Sequence, residues 1–288
     1  MLLENNIILV LILMIFFSFS LSRESIMLIL IGFLCILSCQ HVYISHGTSS
    51  SDAPKKWSAL LSRVSSDSGV DYNLIRENRS ILDNYMSWIA NHGPHSEHYS
   101  IREEKRKIVF YANAYNAAVI FAVLENWPIS SVKEVDAGWF TQDNVGFFLG
   151  QLFMIDGGTM SLFHLEQDLL LSQFQDPRIH AMLNCASFGC PPVRYWHKKN
   201  LNKQLEKHWK QFIQNNVRQS GNQWEVSELF FWYERDFIGW SEAENLCVYL
   251  ASYLNTKAKD WMERHSKDCS LSSFPYDWAL NDSPYRHR

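Results

Sequence analysis

The sequence predicts an α+β fold, a helix-rich single domain packed around a small β-sheet. Apolar residues recur at helical spacing over residues 72–90, 100–125, 200–216 and 242–263. Short strand-like stretches lie between these segments, at 151–158 and 221–231, and the first ends in an Asp-Gly-Gly turn. Helices this long, separated by strands this short, favour helices packed on a small sheet.

The composition supports a well-packed core and argues against nucleic-acid binding. The 288 residues are 47% hydrophobic and 14% aromatic, and 19% are charged. The net charge is −4, so the chain has no basic excess with which to neutralise phosphates. The densest basic stretch, residues 102–107, is interleaved with Glu103 and Glu104, which indicates a solvated helix face.

The N-terminus has the pattern of an export signal. Residues 7–21 and 27–37 are apolar, and Arg23 and Glu24 separate them. The second run ends at Cys39, in the manner of a bacterial lipoprotein signal, and Gln40 after it favours the outer membrane. An uncleaved anchor with one or two membrane segments is the alternative. Both interpretations predict a membrane-associated, exported protein in which disulfides can form.

These features divide the chain into three parts. Residues 1–39 are interpreted as the signal or anchor, and the small, polar residues 40–56 as a linker. The globular domain is predicted to span residues 57–288. Membrane attachment is expected through the N-terminus.

Two asparagines lie on the most apolar predicted helix. Ser100 and Glu103 form a capping-box pattern, and the helix should run to about Glu125, before Trp127-Pro128. Asn113 and Asn116 are three residues apart and therefore share a face. Buried amides must be paired, so these two either bind the backbone of a neighbouring loop or orient a catalytic group.

Three further segments complete the outline. A helix is predicted over residues 159–171, where His164 and Glu166 suit a solvent-facing surface and Glu166 is given a supporting role at most. Residues 200–216 form an amphipathic helix. The aromatic residues 274–281 are expected to be extended and to lie across the domain.

The richest stretch for chemistry is DPRIHAMLNCASFGCPP, residues 176–192. Residues 178–185 are predicted to be a strand after an Asp-Pro turn. His180 and Cys185 then face opposite ways, and as a helix they would also not be neighbours. A dyad of these two therefore requires a bend near Asn184, or Cys185 at the end of the strand. Otherwise the base for Cys185 lies elsewhere in the chain.

Five segments resemble, in order, the motifs of the domain-of-unknown-function family 547. They are KIVFYANAYNAAVI, MSLFHLEQDLL, DPRIHAMLNCASFGCPP, VSELFFWYERDF and FPYDWALN, and they span roughly residues 100–281. The family has no established reaction, and its members often carry export signals. The positions that fall on its motifs are Asn113, Asn116, His180, Cys185, Cys190, Pro191 and Asp236. FYANAYN departs from the expected FWINxYN only at packing positions.

The first functional hypothesis is a thiol-dependent hydrolase or acyltransferase acting on an amide or ester. Cys185 would be the nucleophile and His180 its base, with Asp236 orienting the histidine. Asn113 or Asn116 would be an orienter or oxyanion donor. The predicted contacts to an unknown small-molecule or peptide ligand are Cys190, Arg178 and Tyr115.

Two other hypotheses use the same stretch. In the second, Cys185 and Cys190 form a disulfide in a non-catalytic envelope binding or scaffold domain. In the third, His180 and the two cysteines bind a metal, although their spacing matches no common zinc pattern. We predict neither a metal nor a cofactor. Cys247 is expected in the core, and Cys269 could be free or paired.

Overall fold

The computed structural model describes residues 41–43, 49–136, 145–220 and 223–283. The chain divides into two compact units, and the second, which begins at Val42, contains nearly all of the described residues. Helices dominate this unit and pack with short strands, so the predicted α+β fold class is confirmed. Helix α1 begins at Ala53, inside the segment interpreted as a linker.

Helices make up most of the described chain. The α-helices are Ala53–Val64 (α1), Tyr72–Glu77 (α2), Arg79–Asn91 (α3), Glu104–Glu125 (α4), Val145–Phe148 (α5), Ser172–Phe174 (α6), Leu201–Asn215 (α7), Leu229–Trp232 (α8), Glu234–Gly239 (α9), Leu246–Ala251 (α10) and Thr256–Arg264 (α11). The 3₁₀ helices are Ile101–Glu103, Val132–Glu134, Pro177–Met182 and Ser266–Asp268, and a π-helix spans His164–Leu171.

In the described residues the strands form three small sheets, whereas the sequence predicts one. The strands are His41–Tyr43 (β1), Ser65–Ser66 (β2), Gly69–Val70 (β3), Gln151–Ile155 (β4), Gly158–Ser161 (β5), Val217–Ser220 (β6), Gln223–Ser227 (β7) and Ser272–Phe274 (β8). Their orders are β1-β4-β5, β2-β3 and β6-β7-β8. Strand β8 pairs parallel to β7, which places the C-terminal residues 272–274 beside the hairpin β6-β7.

Helix α4 is the centre of the larger core. Glu103 accepts a hydrogen bond from the backbone nitrogen of Ser100 at 3.0 Å, and α4 ends at Glu125, so the predicted capping pair and helix end are confirmed. Its side chains are buried almost without a break from Ile108 to Leu124. By length and composition alone, α4 is the one described helix that could cross a membrane, but its apolar surface is buried inside the domain.

The two asparagines of α4 hold two loops by pairing with their backbones. Asn113 donates to Trp196 O at 2.9 Å and accepts from Trp196 N at 2.8 Å. Asn116 donates to Met182 O at 2.8 Å and accepts from Asn184 N at 2.9 Å. Each side chain therefore offers the loop one donor and one acceptor, as a neighbouring β-strand would. The structure thus supports the backbone-pairing interpretation for both residues.

The strand predicted over residues 178–185 is wrong. Pro177–Met182 is a 3₁₀ helix, which Pro177 can start because its position needs no backbone donor. Asp176 caps it by accepting from Arg178 N at 2.9 Å. The backbone becomes extended at Leu183. There Asn116, rather than a second strand, pairs with the chain.

Three predicted helices also differ in detail. Residues 72–90 form two helices, because Asn78 leaves helical geometry and bonds Leu74 O through its side chain at 2.9 Å. Residues 158–161 are the second strand of a hairpin, and the helix that follows is largely a π-helix. Residues 242–263 are also broken, because Asn245 and Asn255 each cap a new helix.

A smaller core packs around α7 and contains a disulfide. Trp209, Phe230 and Phe237 are fully buried there. Cys247 is buried, as predicted, and is bonded to Cys269. This bond ties α10 to the segment that leads into β8, so it fixes the start of the C-terminal strand.

We expect Asn116→Ala to lower the free energy of unfolding by about 2 kcal/mol, because it leaves Asn184 N buried and unpaired and leaves Met182 O with the Trp196 indole as its one remaining donor. Urea denaturation should show a lower midpoint with an unchanged slope. Asn84→Ala is the control, because its amide bonds Ser80 O within its own helix, and it should stay within about 0.5 kcal/mol. Equal losses in both variants would contradict the strand-like role of Asn116.

Candidate functional site

A cavity of about 470 Å³ opens beside residues 176–192, the stretch that is richest in candidate catalytic groups. It is bounded by α4, α5, the π-helix, the loop 183–191, α8 and the C-terminal segment. Its residues are Tyr115, Val145, Phe148, Leu149, Phe163, Glu166, Gln167, His180, Leu183, Cys185, Cys190, Pro191, Leu229, Trp232, Tyr233, Tyr276 and Trp278. Most of these side chains are aromatic or aliphatic, so the cavity is mainly apolar.

The polar centre of the cavity is the carboxylate of Glu166. Tyr115 donates to one of its oxygens at 3.0 Å, and Tyr233 donates to the other at 2.8 Å. Gln167 donates to that second oxygen at 3.1 Å. Burial raises the pKa of Tyr115, and the Glu166 charge is the main cause that raises the pKa of Tyr233. Both phenols therefore stay protonated as donors at neutral pH.

Glu166 reaches this position from the π-helix His164–Leu171. π-helical turns are rare and occur often at functional sites. Here the consecutive residues Glu166 and Gln167 both line the cavity, while Leu165 and Leu170 are buried in the core. Glu166 thus faces the cavity, although its helix is predicted from the sequence to be a surface element.

His180 lies at one wall of the cavity and is held by an acid. Its Nε2 is 2.9 Å from Asp236 Oδ2, and its side chain is 4% exposed. Its ring packs on Tyr233, with centroids 4.3 Å apart, and on Phe237 at 5.3 Å. The imidazole thus has a fixed orientation, and the pairing with Asp236 is the one that the triad hypothesis required of these two residues.

A disulfide forms another part of the wall. Cys185 and Cys190 are bonded through their sulfurs, which are 2.03 Å apart. The hydroxyl of Tyr276 lies 2.9 Å from each sulfur and accepts from Ser187 Oγ at 2.9 Å. In this state Cys185 has no thiolate, and its sulfur contacts Cys190, Ser187 and Tyr276 rather than an imidazole.

The C-terminal segment, residues 274–281, closes the cavity by pairing with the disulfide loop, residues 185–190. Phe188 N donates to Ala279 O at 3.0 Å, and Gly189 N donates to Asp277 O at 2.9 Å. Gly189 is needed for this approach, because an added Cβ would lie 2.7 Å from the ring of Tyr276. Residues 274–281 lie across the domain, as predicted, although the strand itself ends at Phe274.

An aromatic cluster forms the outer wall. The rings of Trp232, Tyr276 and Trp278 contact one another, with centroids 4.8 to 5.9 Å apart. Trp232 is 49% exposed, and Phe163 and Leu149 are 46% and 40% exposed. These three exposed side chains make the mouth of the cavity apolar as well.

The structure gathers some of the predicted site residues and separates others. Cys185, Cys190, His180 and Tyr115 line the cavity, and Asp236 lies behind His180. Asn113 and Asn116 do not line it, and their amides are occupied by backbone groups. Arg178 also lies outside it, because its guanidinium binds Asp176 at 2.6 Å and lies 3.6 Å from Glu206.

Sequence reasoning missed Glu166 as the polar centre, and also Tyr233, Tyr276 and the two tryptophans. Tyr233 and Trp232 stand in the same motif as Asp236, and Tyr276 and Trp278 stand in the C-terminal motif. Their place in two of the resembling segments was an available signal. Nothing in their spacing indicated that they would meet Glu166, which is 67 residues from Tyr233.

Metal binding has no ready cluster in the described part of the chain. No group of three His, Cys, Asp or Glu side chains is placed there to hold an ion. His180 binds Asp236, and the sulfurs of Cys185 and Cys190 bind each other. The ligand set of the metal hypothesis is therefore not assembled in this state.

A second, more polar cavity of about 200 Å³ lies on the other side of Cys190 and Pro191. Arg194 and His208 line it, and the His208 ring packs edge-on against Trp196 at 5.5 Å. Burial lowers the pKa of His208 to about 4, and the charges of Arg194 and Lys207 lower it as well. His208 is therefore neutral in the fold at neutral pH.

We expect stability to fall as the pH drops from 6.5 towards about 4, because the unfolded chain protonates His208 before the folded chain does. Below about pH 4 both states are protonated, and this contribution stops changing. His208→Gln should flatten the profile measured by urea denaturation. The exposed His197→Gln should keep the original profile, and a His208→Gln profile as steep as that of the unaltered protein would contradict the assignment.

One family model matches a part of the chain that contains several residues of this site. A search of curated proteins and a search of solved structures found no match. The matched family is described as "Protein of unknown function, DUF547", and its model covers residues 100–213. That range contains Glu166, His180 and the Cys185–Cys190 disulfide, whereas Tyr233, Asp236 and Tyr276 lie beyond it. The predicted resemblance is therefore confirmed: residues 100–213 of this chain match the family DUF547.

Proposed function

We propose that this domain binds a small, largely apolar ligand in the aromatic cavity and that it is a binding module rather than a thiol enzyme. The observation that carries the proposal is the closed Cys185–Cys190 disulfide in the wall of an otherwise apolar cavity. A thiolate nucleophile needs a free sulfur, and here the sulfur is bonded. The cavity itself remains open to a ligand.

The dimensions and lining of the cavity suit a small molecule. A volume of about 470 Å³ falls within the range of ligand pockets, roughly 300–1,000 Å³. Such pockets combine apolar walls with a few oriented polar groups. Glu166, Gln167 and His180 supply those groups, and each is held by a hydrogen bond.

A thiol-dependent hydrolase or acyltransferase is the second candidate, because Cys185 and His180 line the same cavity. It requires that a dithiol reductant first cleave the disulfide, taking up the bond as its own disulfide and leaving two thiols. Cys185 could then attack an amide or ester carbonyl, with His180 as the base and Asp236 orienting it. In the oxidised state this route is closed.

We also propose that the domain acts outside the cytoplasm, in the cell envelope, attached through its N-terminus. The apolar residues 7–37 and Cys39, the predicted lipid site, lie outside the described residues. The proposal is supported by two disulfides in the described domain, Cys185–Cys190 and Cys247–Cys269. Disulfides persist in secreted and periplasmic proteins and are rare in the cytosol.

Binding can be tested with the neutral apolar dye N-phenyl-1-naphthylamine, whose fluorescence rises in an apolar cavity. We expect saturable binding, and we expect Phe163→Ala to weaken it about fivefold, which corresponds to about 1 kcal/mol of lost apolar contact. Phe188→Ala is a matched control, because Phe163 and Phe188 are both 46% exposed and Phe188 does not line this cavity. Absence of saturable binding, or equal effects of the two variants, would contradict the proposal.

The redox state separates the two candidate functions. Full-length protein from the membrane fraction of a bacterial host should be denatured and alkylated with iodoacetamide without reductant. We expect no label on Cys185, Cys190, Cys247 or Cys269, and full label on all four after reduction. Label on Cys185 and Cys190 alone before reduction would favour the thiol enzyme. Label on all four would remove the support for an oxidising compartment.

A further inference from the structure

The charge distribution around the main cavity is one-sided. Among the lining residues Glu166 is acidic, and neither a lysine nor an arginine is present. The second nearby acid, Asp236, is 23% exposed and paired with His180. Within the part of the chain that the structure describes, no ion pair neutralises Glu166. The cavity is therefore apolar but negatively charged.

The hydrogen bonds of Glu166 orient its charge without cancelling it. Its donors are two phenols and one amide, and all three are neutral groups. A carboxylate has about four lone-pair sites, so these three donors leave it able to accept from a ligand. A partly buried carboxylate interacts with a cation much more strongly than one in water does. The site is thus pre-oriented for a positively charged donor.

The aromatic cluster offers the same preference by a different interaction. Trp232, Tyr276 and Trp278 are in mutual contact and line the cavity, and the face of an aromatic ring attracts cations. The ammonium of Lys133 already lies 4.9 Å from the centroid of Trp278, although Lys133 does not line the cavity. Burial raises the pKa of Tyr276 and the Glu166 charge raises it further, so the carboxylate acts on this cluster too.

We propose that the ligand is an amine, an apolar body that carries a positively charged ammonium group bound by Glu166 and faced by the aromatic cluster. This inference rests on the proposed binding function and names its ligand class. Tyr115, Tyr233 and Gln167 position the carboxylate, and the apolar walls hold the body of the ligand. The ammonium group supplies the counter-charge that the described residues do not.

The test uses a matched series of compounds that differ only in the end group. They are 4-phenylbutylamine, 4-phenyl-1-butanol and 4-phenylbutyrate, which are cationic, neutral and anionic at neutral pH. Titration calorimetry on the full-length protein should show the amine binding at least tenfold more tightly than the alcohol. The butyrate should bind most weakly, and added salt should weaken binding of the amine.

A substitution locates the preference at one side chain. Glu166→Gln keeps the size of the residue and removes its charge, and it replaces one of the two accepting oxygens with an amide NH₂ group. In that variant the amine should bind no more tightly than the alcohol, so the preference measured on the unaltered protein should be lost. Glu263→Gln removes a charge from an exposed acid that does not line the cavity, and it should change neither affinity.

The outcomes separate failure of this inference from failure of the proposed function. Equal binding of the amine and the alcohol, or tightest binding of the butyrate, would overturn the inference that the ligand is an amine. The proposed binding function of the cavity would still stand. No binding of any of the three compounds, together with no binding of the neutral dye, would overturn both. If Glu166→Gln does not fold, the series on the unaltered protein still decides between amine and alcohol.

Discussion

The structure depends on a chain of buried amides that runs through the loop 183–191, which contains the Cys185–Cys190 disulfide. Asn116 pairs with the backbone around Asn184, and the side chain of Asn184 accepts from Ala186 N at 2.9 Å and from Asn281 at 3.1 Å. Asn281 in turn accepts from Tyr72 at 2.8 Å. Helix α4, the disulfide loop, the C-terminal segment and α2 are joined through this one network. Buried amides are costly when unpaired, so the network specifies a single arrangement.

The arrangement of the cavity follows from this network. The Asn184 side chain also donates to Pro191 O at 2.7 Å, which folds the loop back so that Cys190 meets Cys185. The pairing of Asn281 N with Ala186 O at 3.0 Å brings Tyr276 onto the two sulfurs. The loop 183–191, which the sequence marks as rich in candidate catalytic groups, is therefore closed by its own disulfide. What remains open is the space between this loop, the π-helix and α8.

The side chains around that space are the reason that we propose recognition rather than covalent catalysis. His180 and Asp236 are paired, and the cysteines are bonded to each other. Glu166 retains an uncompensated charge among aromatic rings, which is a binding feature rather than a nucleophile with its base. A reductant would change this balance, because it would free a thiol in the cavity that His180 also lines. The redox state of one bond thus decides which of the two candidate functions the same cavity can serve.

The sequence by itself determined the local features of this protein. The fold class, the Ser100–Glu103 cap, the end of α4 at Glu125 and the hairpin turn after residue 155 follow from short-range patterns. The motifs predicted the DUF547 match, and C-x4-C allowed the Cys185–Cys190 bond. Only the tertiary structure decided the rest. Residues 178–185 are not a strand, because Pro177–Met182 is a 3₁₀ helix and the distant Asn116 takes the hydrogen bonds of Met182 O and Asn184 N that a neighbouring strand would need. Glu166 became the centre of a cavity only because Tyr115 and Tyr233, 51 and 67 residues away, donate to it.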